Sequence, residues 1–295
     1  MPGSPQWARH CNKLFPNNSA VTIGLMITPP RRSPNPTTGQ HQSPQGMSTL
    51  PGERLSKRVM QLKGCSRHEA EQYIEGGWVQ VDGQVVEAPM ARVSQQTVTI
   101  DPRASLISLT DVTLLLHKPP GFDTMASPGE SGRRVKPAQQ LLLPANHWAD
   151  DTSGIRVLQR HFARLSACVP LETAASGLVV FTQDWRVLRK LSEDAAFIEH
   201  ELRVEVQGEV SPEALHRLSA PRNEVPAVRV SVNSSTAELT RLRFAFKGSH
   251  PGLVAWLCEQ TALKIVGMTR LRIGRVALGH LAEGQWRHLQ AAERF

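Results

Sequence analysis

Regular patterning begins at Arg54. Leu55, Val59 and Leu62 recur on one helical face while Arg54, Lys57, Arg58 and Lys63 fall on the others, and Gly64 stands where such a helix would end. Ser66-Arg67-His68-Glu69 has the Ser-x-x-Glu form of a capping box. It predicts a second helix with a buried stripe of Ala70, Tyr73 and Ile74, stopped by Gly76-Gly77. Val79-Gln80-Val81 alternates as a strand does, Asp82-Gly83 is a two-residue hairpin turn, and Gln84-Val85-Val86 returns. Residues 53–103 are thus expected to form a small domain of two helices and a β-hairpin. Residues 1–52 show no apolar period around Thr28-Pro29-Pro30-Arg31-Arg32 and are expected to be a disordered tail. Met47, close to the first regular pattern, is a candidate start of translation.

From Asp111 onward the pattern is strand-like with interspersed helices. Val112 to His117 is an apolar strand broken at Lys118-Pro119-Pro120-Gly121, and Leu178 to Thr182, Leu202 to Val206 and Arg241 to Phe246 are others. Gly252 to Leu263 predicts a helix, followed by strands through Val276 and a last one near Trp286. Residues 110–290 are expected to be an α+β domain with a largely antiparallel sheet.

With 295 residues, 40% hydrophobic and 20% charged, the chain has length for roughly two packed domains. Lys and Arg outnumber Asp and Glu by 34 to 26, a net +8, which suits a polyanion. Placement sharpens this: Arg54, Lys57, Arg58, Lys63 and Arg67 face a single acid, Glu69, between Arg54 and Ala70. Ser66, Arg67 and His68 stand at a helix N-terminus, whose backbone N–H groups favour phosphate. Cys11, Cys65, Cys168 and Cys258 have no ligand or disulfide spacing, which fits a reducing cytoplasm. The apolar run Val21 to Thr28 is far short of the about 20 residues a membrane span takes. It also lacks a cleavage site, so neither membrane nor secretion is expected.

The ordered run Arg54-Leu55-Ser56-Lys57, Ser66-Arg67-x-x-Ala70, Ile74-x-x-Gly77-x-Val79-x-Val81-x-Gly83 resembles the alpha-L RNA-binding motif, the domain type first seen in a small-subunit ribosomal protein. That resemblance implies docking on folded RNA by shape and phosphate contacts, through Arg54, Lys57, Arg58, Lys63, Ser66, Arg67 and His68.

The pieces that follow resemble pseudouridine synthases of ribosomal RNA, in the branch with an N-terminal alpha-L module. The matches are Lys118-Pro119-Pro120-Gly121, Leu171-Glu172, Ser176-Gly177-Leu178, Thr182-Gln183-Asp184, Arg203-Val204-Glu205-Val206, Arg270-Leu271-Arg272-Ile273-Gly274 and Gly284-Gln285-Trp286-Arg287-His288-Leu289. The resemblance implies isomerisation of a flipped-out uridine by a catalytic aspartate, with no metal and no organic cofactor. The partner it implies is structured ribosomal RNA, met by a cytoplasmic monomer.

The chain departs from that family at three functional positions. Glu172 stands where the family has its aspartate, and Pro170 replaces the arginine before it. Misplacing a reacting carboxylate by 1 Å costs about a hundredfold in rate. His200-Glu201-Leu202 replaces Lys-x-Tyr, so the stacking ring becomes leucine, and the one tyrosine, Tyr73, lies in the first domain. The stacking lost is worth about 1–3 kcal/mol per base. His250 to Trp256 replaces a basic helix by an apolar face open to a protein partner, with Arg270, Arg272 and Arg287 left to hold phosphate. Two readings follow: an isomerase using Glu172, or a non-catalytic RNA-binding protein that kept the fold and assists ribosome assembly. A DNA regulator fits less well, because no recognition helix or dimerising heptad is present. His161 is assigned to surface or core, Asp150-Asp151 to an exposed loop without metal, and Asp184 to a structural turn.

Overall fold

The structure of the protein is a computed structural model that describes residues 52–106, 110–126, 135–223 and 225–295. The expectations for the tail, for Met47 and for the apolar run at 21–28 lie outside the described residues. The chain divides between residues 109 and 110 into a smaller and a larger unit.

The smaller unit runs β1 (Glu53–Arg54), α1 (Leu55–Lys63), α2 (Arg67–Glu75), β2 (Val79–Val81), β3 (Gln84–Val85), β4 (Arg92–Val93) and β5 (Val98–Ile100). Gly64 ends α1 in the left-handed region at φ 64°, its N–H donating to the Met60 carbonyl. The capping box forms in full: Glu69 N–H donates to Ser66 Oγ, and Ser66 N–H donates to the Glu69 carboxylate at 2.7 Å. Asp82 and Gly83 both have positive φ, as the tightest hairpin turn requires. Two pairings were not anticipated: β5 adds to the open side of β2, and β1 pairs with β4. Leu55, Val59, Ala70, Tyr73, Ile74, Val79 and Val93 form the core. Leu62 corrects the helical pattern, because it is 55% exposed and Met60 and Cys65 pack the flank instead.

The larger unit runs β6 (Thr113–Lys118), β7 (Phe122–Asp123), β8 (Lys136–Pro137), β9 (Ser166–Cys168), β10 (Ser176–Thr182), α3 (Trp185–Glu193), β11 (Glu199–Gln207), α4 (Pro212–Ser219), β12 (Val228–Ser235), β13 (Leu239–Lys247), α5 (Leu253–Gln260), β14 (Ile265–Ile273), β15 (Val276–Ala277) and β16 (Trp286–His288). Its main sheet has the order β12-β13-β11-β14-β10-β6-β16. Every neighbouring pair along that path is antiparallel except β10 and β14. All seven residues of β10 are buried, which explains its unbroken apolar run. β11 alternates, with His200, Leu202, Val204 and Val206 inward and Glu199, Glu201, Arg203 and Glu205 outward. Asp184, expected as a turn residue, caps α3 by accepting from Arg186 N–H. The helix expected at 252–263 is α5, and its Leu253, Val254, Leu257 and Cys258 are buried in this unit's own core. Trp256 carries the Arg222 guanidinium 5.5 Å over its ring. The Val254-Ala255-Trp256 face is thus mostly covered by the chain itself.

One close approach positions the site. Gly177 pairs with Arg270 at φ +116°, and a Cβ there would lie 2.4 Å from the Arg270 backbone N and O. Glycine alone lets β10 and β14 come this near, and it brings Arg270 beside residues 169–172.

Candidate functional site

Glu172 lies on the segment between β9 and β10, and two buried cations hold that segment from either side. Arg270 donates to the carbonyls of Val169 at 3.0 Å, Pro170 at 2.9 Å and Leu178 at 2.7 Å. Lys118, the first residue of the Lys-Pro-Pro-Gly run, donates to those of Pro119, Thr173 and Ala175. Thr124 Oγ1 donates to Leu171 O and Gly121 N–H to Thr173 O. Val169 sits at φ +56°, a conformation costly for a β-branched residue and kept only where its surroundings dictate it. The clamp from Arg270 supplies that constraint.

Burial pushes the Lys118 ammonium down to about 8, with the charge of Arg270 adding to the shift and that of Glu172 opposing it. Burial likewise lowers the Arg270 guanidinium to about 10, so it stays protonated at neutral pH. Pro170 therefore does not leave Glu172 without cations, because β6 and β14 bring them from elsewhere in the chain.

Glu172 is itself buried, and its Oε1 accepts the Gly252 N–H at 2.5 Å, at the N-terminus of α5. A carboxylate suits that end of a helix. The cavity beside it is lined by His200, Leu202, Phe246, His250 and Arg270 among others and measures about 20 Å³. That is room for about one water. Leu202 is part of the core, and His200 stacks on Phe246 with ring centroids 6.2 Å apart. Burial, then the charges of Arg270, His250 and Arg272, hold His200 down at about 3.

His200 is therefore neutral in the folded protein while its unfolded counterpart protonates near 6.5. Stability contributed by the neutral ring is complete above pH 6.5 and is lost as the pH falls toward 3, at about 1.4 kcal/mol per pH unit. Urea unfolding followed at successive pH values should show this contribution, and His200→Gln should lessen the slope while leaving the share of His161, which burial holds down at about 4.

Arg272 and Arg287 are placed differently. Arg272 is tied to Glu199 at 2.6 Å and to Glu201 at 3.1 Å on the outward face of β11 and β14. Arg287 is buried and makes a two-pronged pair with Glu293, both contacts 2.7 Å. Neither guanidinium belongs to the Glu172 pocket. Asp151 corrects the expectation of an exposed loop: its side chain is 1% exposed and lies against His147 and His288. His161 is a core residue within 3.4 Å of His288.

In the smaller unit, Arg54, Ser56, Lys57, Met60, Arg67 and Arg92 line an open concavity of about 600 Å³ together with Gly52 and Glu53. Three of the anticipated cations meet there. Arg92 joins them through the pairing of β1 and β4, its guanidinium donating to Gly52 O at 2.9 Å. No local motif marks Arg92, and only the pairing partner of β1 reveals it. The other anticipated residues are engaged elsewhere. Arg58 pairs with Glu53 and donates to Ser94 O, Lys63 lies 5.8 Å over the Tyr73 ring, Ser66 is occupied by the capping box, and His68 contacts Gln72. Arg67 pairs with Glu71 and Lys57 lies 3.8 Å from Glu53, but both side chains are more than half exposed and such pairs are weak.

The S4 domain model matches residues 53–98. A curated protein of Aquifex aeolicus, described as an uncharacterized RNA pseudouridine synthase, is 25% identical over 244 residues, covering 81% of this chain and 94% of its own. The chain is similar to an RNA pseudouridine synthase over most of its length and matches the S4 domain at residues 53–98. A solved pseudouridylate synthase aligns over 80% of the chain and 96% of its own, at 18% identity and a TM-score of 0.47. Arg54, Lys57, Arg67 and Arg92, which line the concavity of the smaller unit, all fall within the residues that match the S4 domain. Among the described residues no helix is long and apolar enough to cross a membrane.

Proposed function

We propose that this chain is a structured-RNA-binding protein built on the pseudouridine synthase plan, in which Glu172 holds the former reaction pocket shut. The supporting observation is the Glu172 Oε1 bond to Gly252 N–H beside a cavity of about 20 Å³. A flipped-out base needs a pocket that encloses it, and a space for about one water does not. The extra methylene of glutamate accounts for the arrangement, since it carries the carboxylate past the loop to the end of α5. Binding is assigned to the S4 domain, and ribosomal RNA, met by a monomer in the cytoplasm, is the partner this reading favours. A role in ribosome assembly follows from binding without chemistry.

The second reading, an isomerase acting through Glu172, is favoured by one observation: Arg270 and Lys118 keep positive charge close to that carboxylate. Tritium release from ribosomal RNA labelled at uridine C5 separates the two. Our reading expects no release above background alongside salt-sensitive RNA binding. Release by the wild-type chain that vanishes in Glu172→Gln would establish the isomerase. Glu172→Asp is the sharper probe: on our reading the shorter side chain should release the Gly252 N–H and enlarge the pocket, so release gained by this variant would show that the rest of the site is intact.

A further inference from the structure

We propose that His147, Asp151 and His288 form a binding site for a zinc-like divalent cation, separate from the Glu172 pocket and from the concavity of the smaller unit. One ligand atom of each residue converges: His147 Nε2 lies 2.9 Å and His288 Nδ1 3.2 Å from Asp151 Oδ2, and all three atoms lie within 4.8 Å of one another. Ligands at about 2.0–2.2 Å around a tetrahedral zinc ion sit about 3.3 Å apart. Small ring rotations therefore suffice to place an ion among them.

The donor set, two imidazoles and one carboxylate, suits zinc and its first-row neighbours. Three donors crowd Asp151 Oδ2, because the His288 N–H also approaches at 2.9 Å, while Ser153 N–H takes Oδ1. A carboxylate oxygen has two lone-pair directions. An ion that replaces the two ring protons relieves this crowding and satisfies both rings together. The proton balance closes within neutral rings: the His147 proton moves from Nε2 to Nδ1, and the His288 proton from Nδ1 to Nε2. The carboxylate is already anionic. From Nε2, His288 faces His161 Nδ1 at 3.4 Å, the outer hydrogen bond that orients a metal-bound imidazole.

Access is one-sided. The side chains of Asp151 and His288 are 1% and 0% exposed, whereas that of His147 is 24% exposed, so the fourth coordination position opens to water at the His147 edge. Trp286 walls the site, its ring centroid 4.6 Å from that of His147. The bound ion would staple residues 147–151 to β16.

The test uses the untagged full-length chain after chelator treatment, with Co²⁺ as spectroscopic probe and Zn²⁺ as competitor. The expected result is one Co²⁺ per chain with the intense visible absorption of a four-coordinate ion, displaced by one equivalent of Zn²⁺. Zn²⁺ should raise the melting temperature of the wild type and leave that of His147→Gln unmoved. His147→Gln should also lose the Co²⁺ band. His161→Phe should retain the band with affinity about 10–100-fold weaker. Two results would overturn the proposal: no stoichiometric Co²⁺ uptake by the wild type, or a band unchanged in His147→Gln.

Discussion

Arg270→Met is expected to destabilise the larger unit by about 4 kcal/mol, lowering its melting temperature by roughly 8–16 °C. The guanidinium is buried, and its three donors satisfy the carbonyls of Val169, Pro170 and Leu178. Methionine fills much of the volume but leaves those acceptors unpaired, each at about 1–3 kcal/mol. It also removes the constraint on Val169 at φ +56°, so the segment carrying Glu172 should relax first. Arg270→Lys restores one charge but not the planar fork, and should recover only part of the loss. Thermal unfolding followed by circular dichroism reads both variants. A melting temperature within about 3 °C of wild type for Arg270→Met would show that the clamp is dispensable.

The second large effect concerns RNA. Replacing Arg54, Lys57, Arg67 and Arg92 together by alanine removes four cations from the concavity of the smaller unit. If each meets one phosphate, the slope of log K against log salt should fall by about 3, and affinity near 0.1 M salt by about a thousandfold. Arg92→Ala alone should lower the slope by about 1. Arg58→Ala and Lys63→Ala should change it less, since Glu53 and Tyr73 already engage those side chains. Fluorescence anisotropy with a folded RNA over a salt series measures all of these. An unchanged slope in the fourfold variant would move the RNA contact elsewhere.

What the sequence discloses and what it hides divides by distance along the chain. The Ser66–Glu69 capping box, the Gly64 helix end and the Asp82-Gly83 turn are contacts between near neighbours, so their residue types declare them. The strands at β6, β10, β11 and β13 declare themselves through apolar runs or alternation. Leu62 misleads because periodicity gives a face and not what covers it. Arg92 acquires its place through a partner strand 38 residues away, and the clamp on residues 169–170 comes from about 100 residues away at Arg270. The Glu172 substitution is visible at once, but its bond to Gly252, 80 residues on, is not. Asp151 looked like loop polarity for the same reason, since the strand that buries it lies 137 residues downstream.

The pairing of β6 with β16 has a kinetic corollary. β6, the first strand of the larger unit, is hydrogen-bonded to residues 286–288 on one side and to β10 on the other. On that outer side its central residues Leu114, Leu115 and Leu116 therefore lack a neighbour until residue 288 has been made. Pairing over so long a separation closes a large loop and is slow. During synthesis this strand would stand as an open, strongly apolar edge, the kind of surface on which nascent chains aggregate. Chaperone dependence of soluble yield, and its worsening when Trp286 is replaced by a polar residue, are the signs to look for in cells.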